Sequence, residues 1–187
     1  MPDKFHPVPL RLQLRLILRE LNNRNSAFGI PAGLFFYPEN HPHLGTGLFG
    51  HQIHNPVGVA AGPHTQLAQN IIAAWLTGAR YIELKTVQTL DMIDVSKPCI
   101  DMQDEGYNCE WSQELTIGES FQEYLNAWII IHILNHHLNR RNDPGVIFNM
   151  SAGYNMEGIL NENVQGFLGK MNNCSEELKA AISGIRD

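Results

Sequence analysis

Leucine and isoleucine recur at helical spacing through Leu10, Leu14, Ile17, Leu18 and Leu21, while Arg11, Arg15 and Arg19 form a second stripe. The same stretch also alternates leucine with arginine or glutamine, as a half-buried strand would. Periodicity does not decide between the two. Leucine and arginine are good helix formers and β-branched residues are nearly absent, which favours a helix. A basic amphipathic helix can meet a membrane or an import receptor, but a solvated face on a docked helix is the commoner use of the pattern, and Asp3 and Glu20 count against a transit peptide. Residues 28–47 carry Gly29, Pro31, Gly33, Pro38, Pro42, Gly45 and Gly47 and read as loop and short turns.

The pattern then changes period. Leu48 to Ile53 reads as a short strand that turns back at Asn55-Pro56, and Val57 to Ala61 is a small-residue apolar run bounded by Gly62-Pro63, as expected of a buried strand ending in a tight turn. Leu67, Ile71, Ala74 and Trp75 fall on one helical face, with Gly78 placed to close the helix as a left-handed cap. Tyr81 to Lys85 is the next strand. A strand, a helix and a strand in so short a span form a βαβ unit, so the fold class is α/β with a parallel sheet and right-handed crossovers. A polar, turn-rich insertion (87–116) follows, then a helix over 119–138 broken by Asp143-Pro144-Gly145, a third strand over 146–150, and helices over 162–171 and 175–182. The organisation predicted is a lead-in over 1–47 and an α/β unit over 48–187, without internal repeats or low-complexity segments.

Of the 187 residues, 43% are apolar and 17% charged, with mean hydropathy −0.21, enough apolar material for an ordinary core. No apolar run is long enough to span a bilayer, and residues 1–9 lack the apolar core of a secretory signal. The net charge of −6 argues against nucleic acid as a partner, although residues 1–25 alone carry +3. Cys99, Cys109 and Cys174 show no CxxC spacing, and their odd number suits a reducing, cytoplasmic compartment.

In parallel α/β sheets ligands sit at the carboxyl ends of the strands. Three sets of residues occupy such ends. Ala60-Ala61-Gly62 would let a flat ligand lie against the backbone, although a tight turn demands the same small residues. Lys85-Thr86 places an ammonium at the mouth of a buried sheet, where desolvation is costly unless an anion or polarised oxygen meets it. Asn149 is an amide within an apolar strand and calls for a specific partner. His132 and His136 stand one helical turn apart, as a metal pair can, but without an HExxH arrangement they read as a polar helix end, and no metal site is predicted. His41, His43, His51 and His54 lie in turn-rich sequence and read as surface residues, and Trp75, Trp111 and Trp128 as core.

Asn55-Pro56-Val57-Gly58-Val59-Ala60-Ala61-Gly62-Pro63, followed by Gly78-Ala79-Arg80-Tyr81-Ile82-Glu83-Leu84-Lys85-Thr86, resembles the start of the FMN-binding TIM barrel shared by dihydroorotate and dihydropyrimidine dehydrogenases. Thr89-Leu90-Asp91, Lys97-Pro98 and Ser151-Ala152-Gly153-Tyr154-Asn155 extend the likeness. Overall the chain is most similar to the N-terminal part of the large iron–sulfur flavoprotein subunits that carry the name putative selenate reductase. The resemblance implies a partial barrel: its first three parallel strands with their crossover helices, preceded by an N-terminal helix and a hairpin that caps the barrel bottom. It implies FMN packed on Ala60, Ala61 and Gly62 and approached by Lys85 and Thr86, with Asn149 a further contact. Asn108 and Asn155 take the place of substrate-binding asparagines, and no catalytic residue can be named.

Pro63-His64-Thr65 departs from the aspartate and lysine that usually follow in dihydroorotate enzymes, which turns the expectation away from dihydroorotate as substrate. A complete barrel needs eight βα units and about 250 residues. The family's catalytic-base loop, phosphate-binding loop and iron–sulfur cysteines are therefore expected beyond Asp187, and the chain alone is expected to bind FMN poorly and catalyse nothing. The implied function is electron transfer between a small-molecule substrate and iron–sulfur clusters in a larger flavin-dependent oxidoreductase. Its partners would be the remaining barrel and iron–sulfur domains of the parent chain and other subunits of a redox complex. The alternative is a non-enzymatic docking or assembly module that has lost its cofactor.

Overall fold

The computed structural model describes residues 5–87, 100–101, 107–108, 115–138, 143–152 and 155–186. Helix α1 (Leu10–Arg24) settles the ambiguity of the leucine–arginine stretch. Ile17 is fully buried and Leu10, Leu18 and Leu21 pack against the core, while Arg11, Arg15 and Arg19 face solvent. The helix ends where Asn25 adopts a left-handed conformation (φ 50°) and its N–H reaches the Leu21 carbonyl at 3.0 Å. A small hairpin follows, β1 (Ser26–Ala27) with β2 (Ile30–Pro31), and the Gly/Pro-rich stretch beyond it contains three single 3₁₀ turns. Ala27, Ala32 and Phe35 join Ile17 in the main core. A second hairpin pairs β3 (Thr46–Leu48) with β4 (His51–Ile53), and at its tip the exposed Phe49 reaches back to the Tyr81 ring (centroids 6.3 Å apart).

The centre of the fold is a three-stranded sheet ordered β5 (Gly58–Val59), β6 (Tyr81–Val87), β9 (Ile147–Ala152), parallel throughout. Helix α2 (Ala68–Leu76) connects β5 to β6, and α3 (Ile117–His137) precedes β9. Ile82 and Leu84 alternate to one face of β6 and are completely buried in the cluster that holds Ile71, Ile72 and Trp75 of α2 and Ile130, Ile131 and Leu134 of α3. The α3 N-terminus is a capping box: Thr116 Oγ1 accepts the Glu119 N–H, and Glu119 returns the bond to the Thr116 N–H. Between β6 and α3 lies a short antiparallel ladder, β7 (Ile100–Asp101) with β8 (Tyr107–Asn108). After β9 the chain forms α4 (Met156–Ile159), α5 (Glu162–Asn172) and α6 (Ser175–Arg186), and α6 returns to touch both α1 and α3.

The fold is therefore α/β, an open portion of a barrel, with β5 and β9 at its edges among the described residues. Gly78 closes α2 as expected: it follows the C-cap Thr77 with positive φ (+125°), its N–H reaches the Trp75 carbonyl (3.2 Å) and the Ala79 N–H the Ala74 carbonyl (2.9 Å), and its own carbonyl accepts the Asn55 amide at 2.8 Å. The α2 terminus is completed by Arg80, fully buried, whose guanidinium donates to the Trp75 and Ala79 carbonyls and stacks on the Trp75 and Phe36 rings. His41, His43 and His51 are exposed as expected and Trp75 is core, whereas His54 and Trp128 are half-buried; Trp111 lies outside the described residues.

Gly58 is a glycine for a reason of space. A Cβ there would stand 2.8 Å from the Tyr81 carbonyl oxygen and 3.0 Å from its ring, in the pairing that joins β5 to β6. Gly58→Ala must push the strands apart and is expected to destabilise the protein by about 1–3 kcal/mol, measured as a lowered denaturant midpoint at unchanged slope. An unchanged midpoint would show that this contact does not limit the pairing.

Candidate functional site

The three strands named from sequence end at one rim, because parallel pairing aligns them, but Asn149 is not the end of the third: β9 runs on to Ala152. Val59 is opposite Ile82 and Glu83 opposite Asn149, so Ala60–Gly62, Lys85–Thr86 and the end of β9 lie at the same edge of the sheet. Ala60 is exposed, Ala61 half-buried and Gly62 buried. The Gly62 N–H donates to Thr65 Oγ1 (3.1 Å) and its carbonyl accepts the Thr65 N–H (3.0 Å), so this turn is internally satisfied. Gly62 thus contributes the lack of a side chain rather than a free donor. Around it, His64 Nε2 lies 3.1 Å from the Ala60 carbonyl oxygen.

Lys85 and Thr86 sit on an irregularity that alternation did not reveal. Leu84 pairs with Met150 but Val87 pairs with Ala152, so β6 carries one residue more than β9 across this interval. This is a bulge, a device that re-aims side chains and is common beside functional sites. Lys85 is 5% exposed, and its ammonium donates to the Thr86 carbonyl at a long 3.3 Å. Asn149 has found the partner its position requires, though one turned away from the rim: its amide donates to the Tyr81 hydroxyl at 2.8 Å. Asn155 follows β9 and is exposed, and its Oδ1 accepts the Gly158 N–H (2.9 Å) as the cap of α4. Asn108 stands in β8, and its side chain is outside the described residues.

Sequence reading missed the residues that hold this rim in place. Ser120, Glu123 and Tyr124 lie at i, i+3 and i+4 on α3, one buried stripe. Ser120 Oγ accepts the Gln66 amide (3.2 Å), Glu123 Oε2 accepts the Ala68 N–H (2.7 Å), and the Tyr124 hydroxyl donates to the Lys85 carbonyl (2.9 Å). Glu123 therefore supplies the anionic cap that Leu67, at the N-cap of α2, cannot. Only polar residues at helical spacing inside an apolar helix hinted at these ties. His132 is exposed and packs on Trp128, His136 is exposed, and among the described residues no group of three or more His, Cys, Asp or Glu is placed to hold a metal. No helix among them is long and apolar enough to cross a membrane.

Parallel strands joined by crossover helices, with candidate polar groups at their carboxyl rim, define the chain as part of a βα barrel. It belongs to the family described as the N-terminal TIM-barrel domain of oxidoreductase YgfK, which residues 28–183 match. Over 183 residues it is 46% identical to the protein named "Putative oxidoreductase YgfK" in Escherichia coli strain K12, and equally so in Escherichia coli O157:H7. The match takes in 97% of this chain and 17% of each of those proteins. No solved structure matches the chain.

Burial raises the Glu123 carboxyl above its ordinary range, against the lowering effect of the Ala68 N–H and the Asn126 side chain. The folded protein thus holds this proton more tightly than the unfolded chain, and the stability gained from it is full below the unfolded pKa and lost as pH rises through the folded one. Glu123→Gln is expected to match the wild type below about pH 4 and to become progressively more stable than it as pH rises above the ordinary carboxylate range. Parallel stability–pH curves for the two proteins would contradict this.

Proposed function

We propose that this chain supplies the first three βα units of a flavin-binding barrel in a larger oxidoreductase. FMN would lie on Ala60–Gly62, with Lys85, Thr86 and Asn149 around its ring. The observation that carries the reading is the shared rim: a ledge of residues with no side chain beyond Cβ, beside a lysine held almost wholly out of water. These residues fit a flat, electron-accepting ring. Ala60 and Ala61 would present only methyl groups to its face, and a fixed cation at its edge favours the negative charge that accumulates on reduction. FMN, when bound, supplies the redox chemistry; the chain's own part is to seat the ring, exclude water from one side and hold the positive charge.

On this reading Asn155 and Asn108 are the candidate contacts for a small-molecule substrate, and electrons pass to or from iron–sulfur centres in other domains of the parent protein, a cytoplasmic enzyme. Membership in an oxidoreductase family and the small share of its relatives that the chain spans support this division of labour. A second reading, a docking or assembly module without cofactor, draws on a cavity of about 380 Å³ beside β9, lined by Phe121, Trp128, Val146 and Phe148 among others.

The full-length protein is expected to show flavin absorbance near ~450 nm. Lys85→Met should lower the midpoint potential of the bound flavin, because it removes the cation that favours the reduced form. Purified full-length protein free of flavin, with its assembly and activity indifferent to substitution of Lys85 and Asn149, would favour the docking module instead.

A further inference from the structure

We propose that Tyr124 is a positioning residue for Lys85: by donating its phenolic hydrogen to the Lys85 carbonyl at the β6 bulge, it fixes the direction in which the lysine side chain leaves the strand. The inference rests on the flavin reading for its functional meaning, and on the geometry of β6 and α3 for its mechanism.

From Leu84 to Val87 strand β6 advances three residues while β9 advances two, from Met150 to Ala152, so Lys85 and Thr86 together face Ser151. A bulge of this kind interrupts the ladder and leaves backbone groups without a strand partner. A buried carbonyl beside such a bulge calls for a well-placed donor. The Tyr124 hydroxyl is that donor, 2.9 Å from the Lys85 oxygen, on a side chain only 1% exposed. Burial also pushes the Tyr124 phenol upward, against the Ser120 hydrogen bond, so it remains a donor through the neutral range.

A β-strand's side chains alternate between faces, so the place of the extra residue decides which face receives Lys85. If the bulge slides by one residue, the lysine changes face. A donor aimed at the Lys85 carbonyl from outside the sheet opposes that slip. Tyr124 suits the task because a tyrosine has few rotatable bonds and projects its hydroxyl at a fixed distance from the helix. Its helix is itself pinned on the same stripe, by Ser120 to Gln66 and by Glu123 to the α2 N-terminus. Packing alone would be served equally well by phenylalanine.

The test compares full-length wild type, Tyr124→Phe, Lys85→Met and the double variant. Exposure of Lys85 is read as its rate of amine labelling by peptide mass spectrometry, and the cofactor as flavin content and midpoint potential. Tyr124→Phe is expected to keep its flavin, to label Lys85 roughly fivefold to tenfold faster, the shift one lost buried hydrogen bond allows, and to lower the potential in the direction of Lys85→Met. The double variant should lie no lower than Lys85→Met alone. Unchanged labelling and potential in Tyr124→Phe, with Lys85→Met still moving the potential, would overturn the proposal and leave the flavin reading standing. Protein without flavin overturns the flavin reading, while the labelling rate still decides whether Tyr124 positions Lys85. Site-specific replacement of Tyr124 by 3-fluorotyrosine, which keeps the donor, should restore wild-type labelling; failure to do so also counts against the hydrogen bond as the cause.

Discussion

A strand paired in parallel on both sides obliges the chain to travel back from its far end to its near end before each neighbour can form, and β6 imposes that journey twice. Helix α2 makes the first return and α3 belongs to the second. Both pack in the one cluster where Ile82 and Leu84 are sealed from water. The carboxyl ends of the strands are left for whatever else the protein holds. Ala60–Gly62, Lys85–Thr86 and the end of β9 come from distant parts of the chain, and they share a rim because this one ladder keeps them in register.

Register alone does not aim a side chain. The bulge at Lys85-Thr86 makes β6 locally ambiguous, and the β5–α2 turn ends in a helix whose N-cap is a leucine. Both weaknesses are met from α3. An apolar helix that buries a serine, a glutamate and a tyrosine incurs desolvation costs on each, and every one is offset by a specific bond: to Gln66, to the Ala68 N–H, to the Lys85 carbonyl. The same three residues that are least at home in a core therefore tie the two rim-bearing segments to one rigid element, as a preformed binding surface requires.

The helices other than α4, the parallel strands and their order were legible in the chain because each is a local pattern: a 3.6-residue or two-residue period with Gly or Pro near its ends. The candidate rim followed from topology, since strand ends in a parallel sheet must gather at one edge. What was not legible depends on pairs far apart in sequence. The bulge leaves no mark in alternation, because it is a mismatch between β6 and β9 rather than a property of either. Tyr124 and Lys85 are 39 residues apart, and nothing in either neighbourhood names the other. Asn149 was recognised as an amide needing a partner, but not that Tyr81 is the partner. Arg80, to which the sequence reading gave no role of its own, is a fully buried cap for α2 between two aromatic rings.

Membership in the YgfK N-terminal barrel family puts this arrangement within an oxidoreductase context, with most of the relatives' length lying outside the matched region. The proposed function makes a spatial claim: a flat redox cofactor would occupy the rim where β5, β6 and β9 end. A cryo-electron microscopy map of the full-length protein tests it most directly. The account predicts planar density in van der Waals contact with Ala60 and Ala61, with the Lys85 ammonium at its edge. Density for protein side chains filling that rim, or a flavin bound at another place, would contradict it.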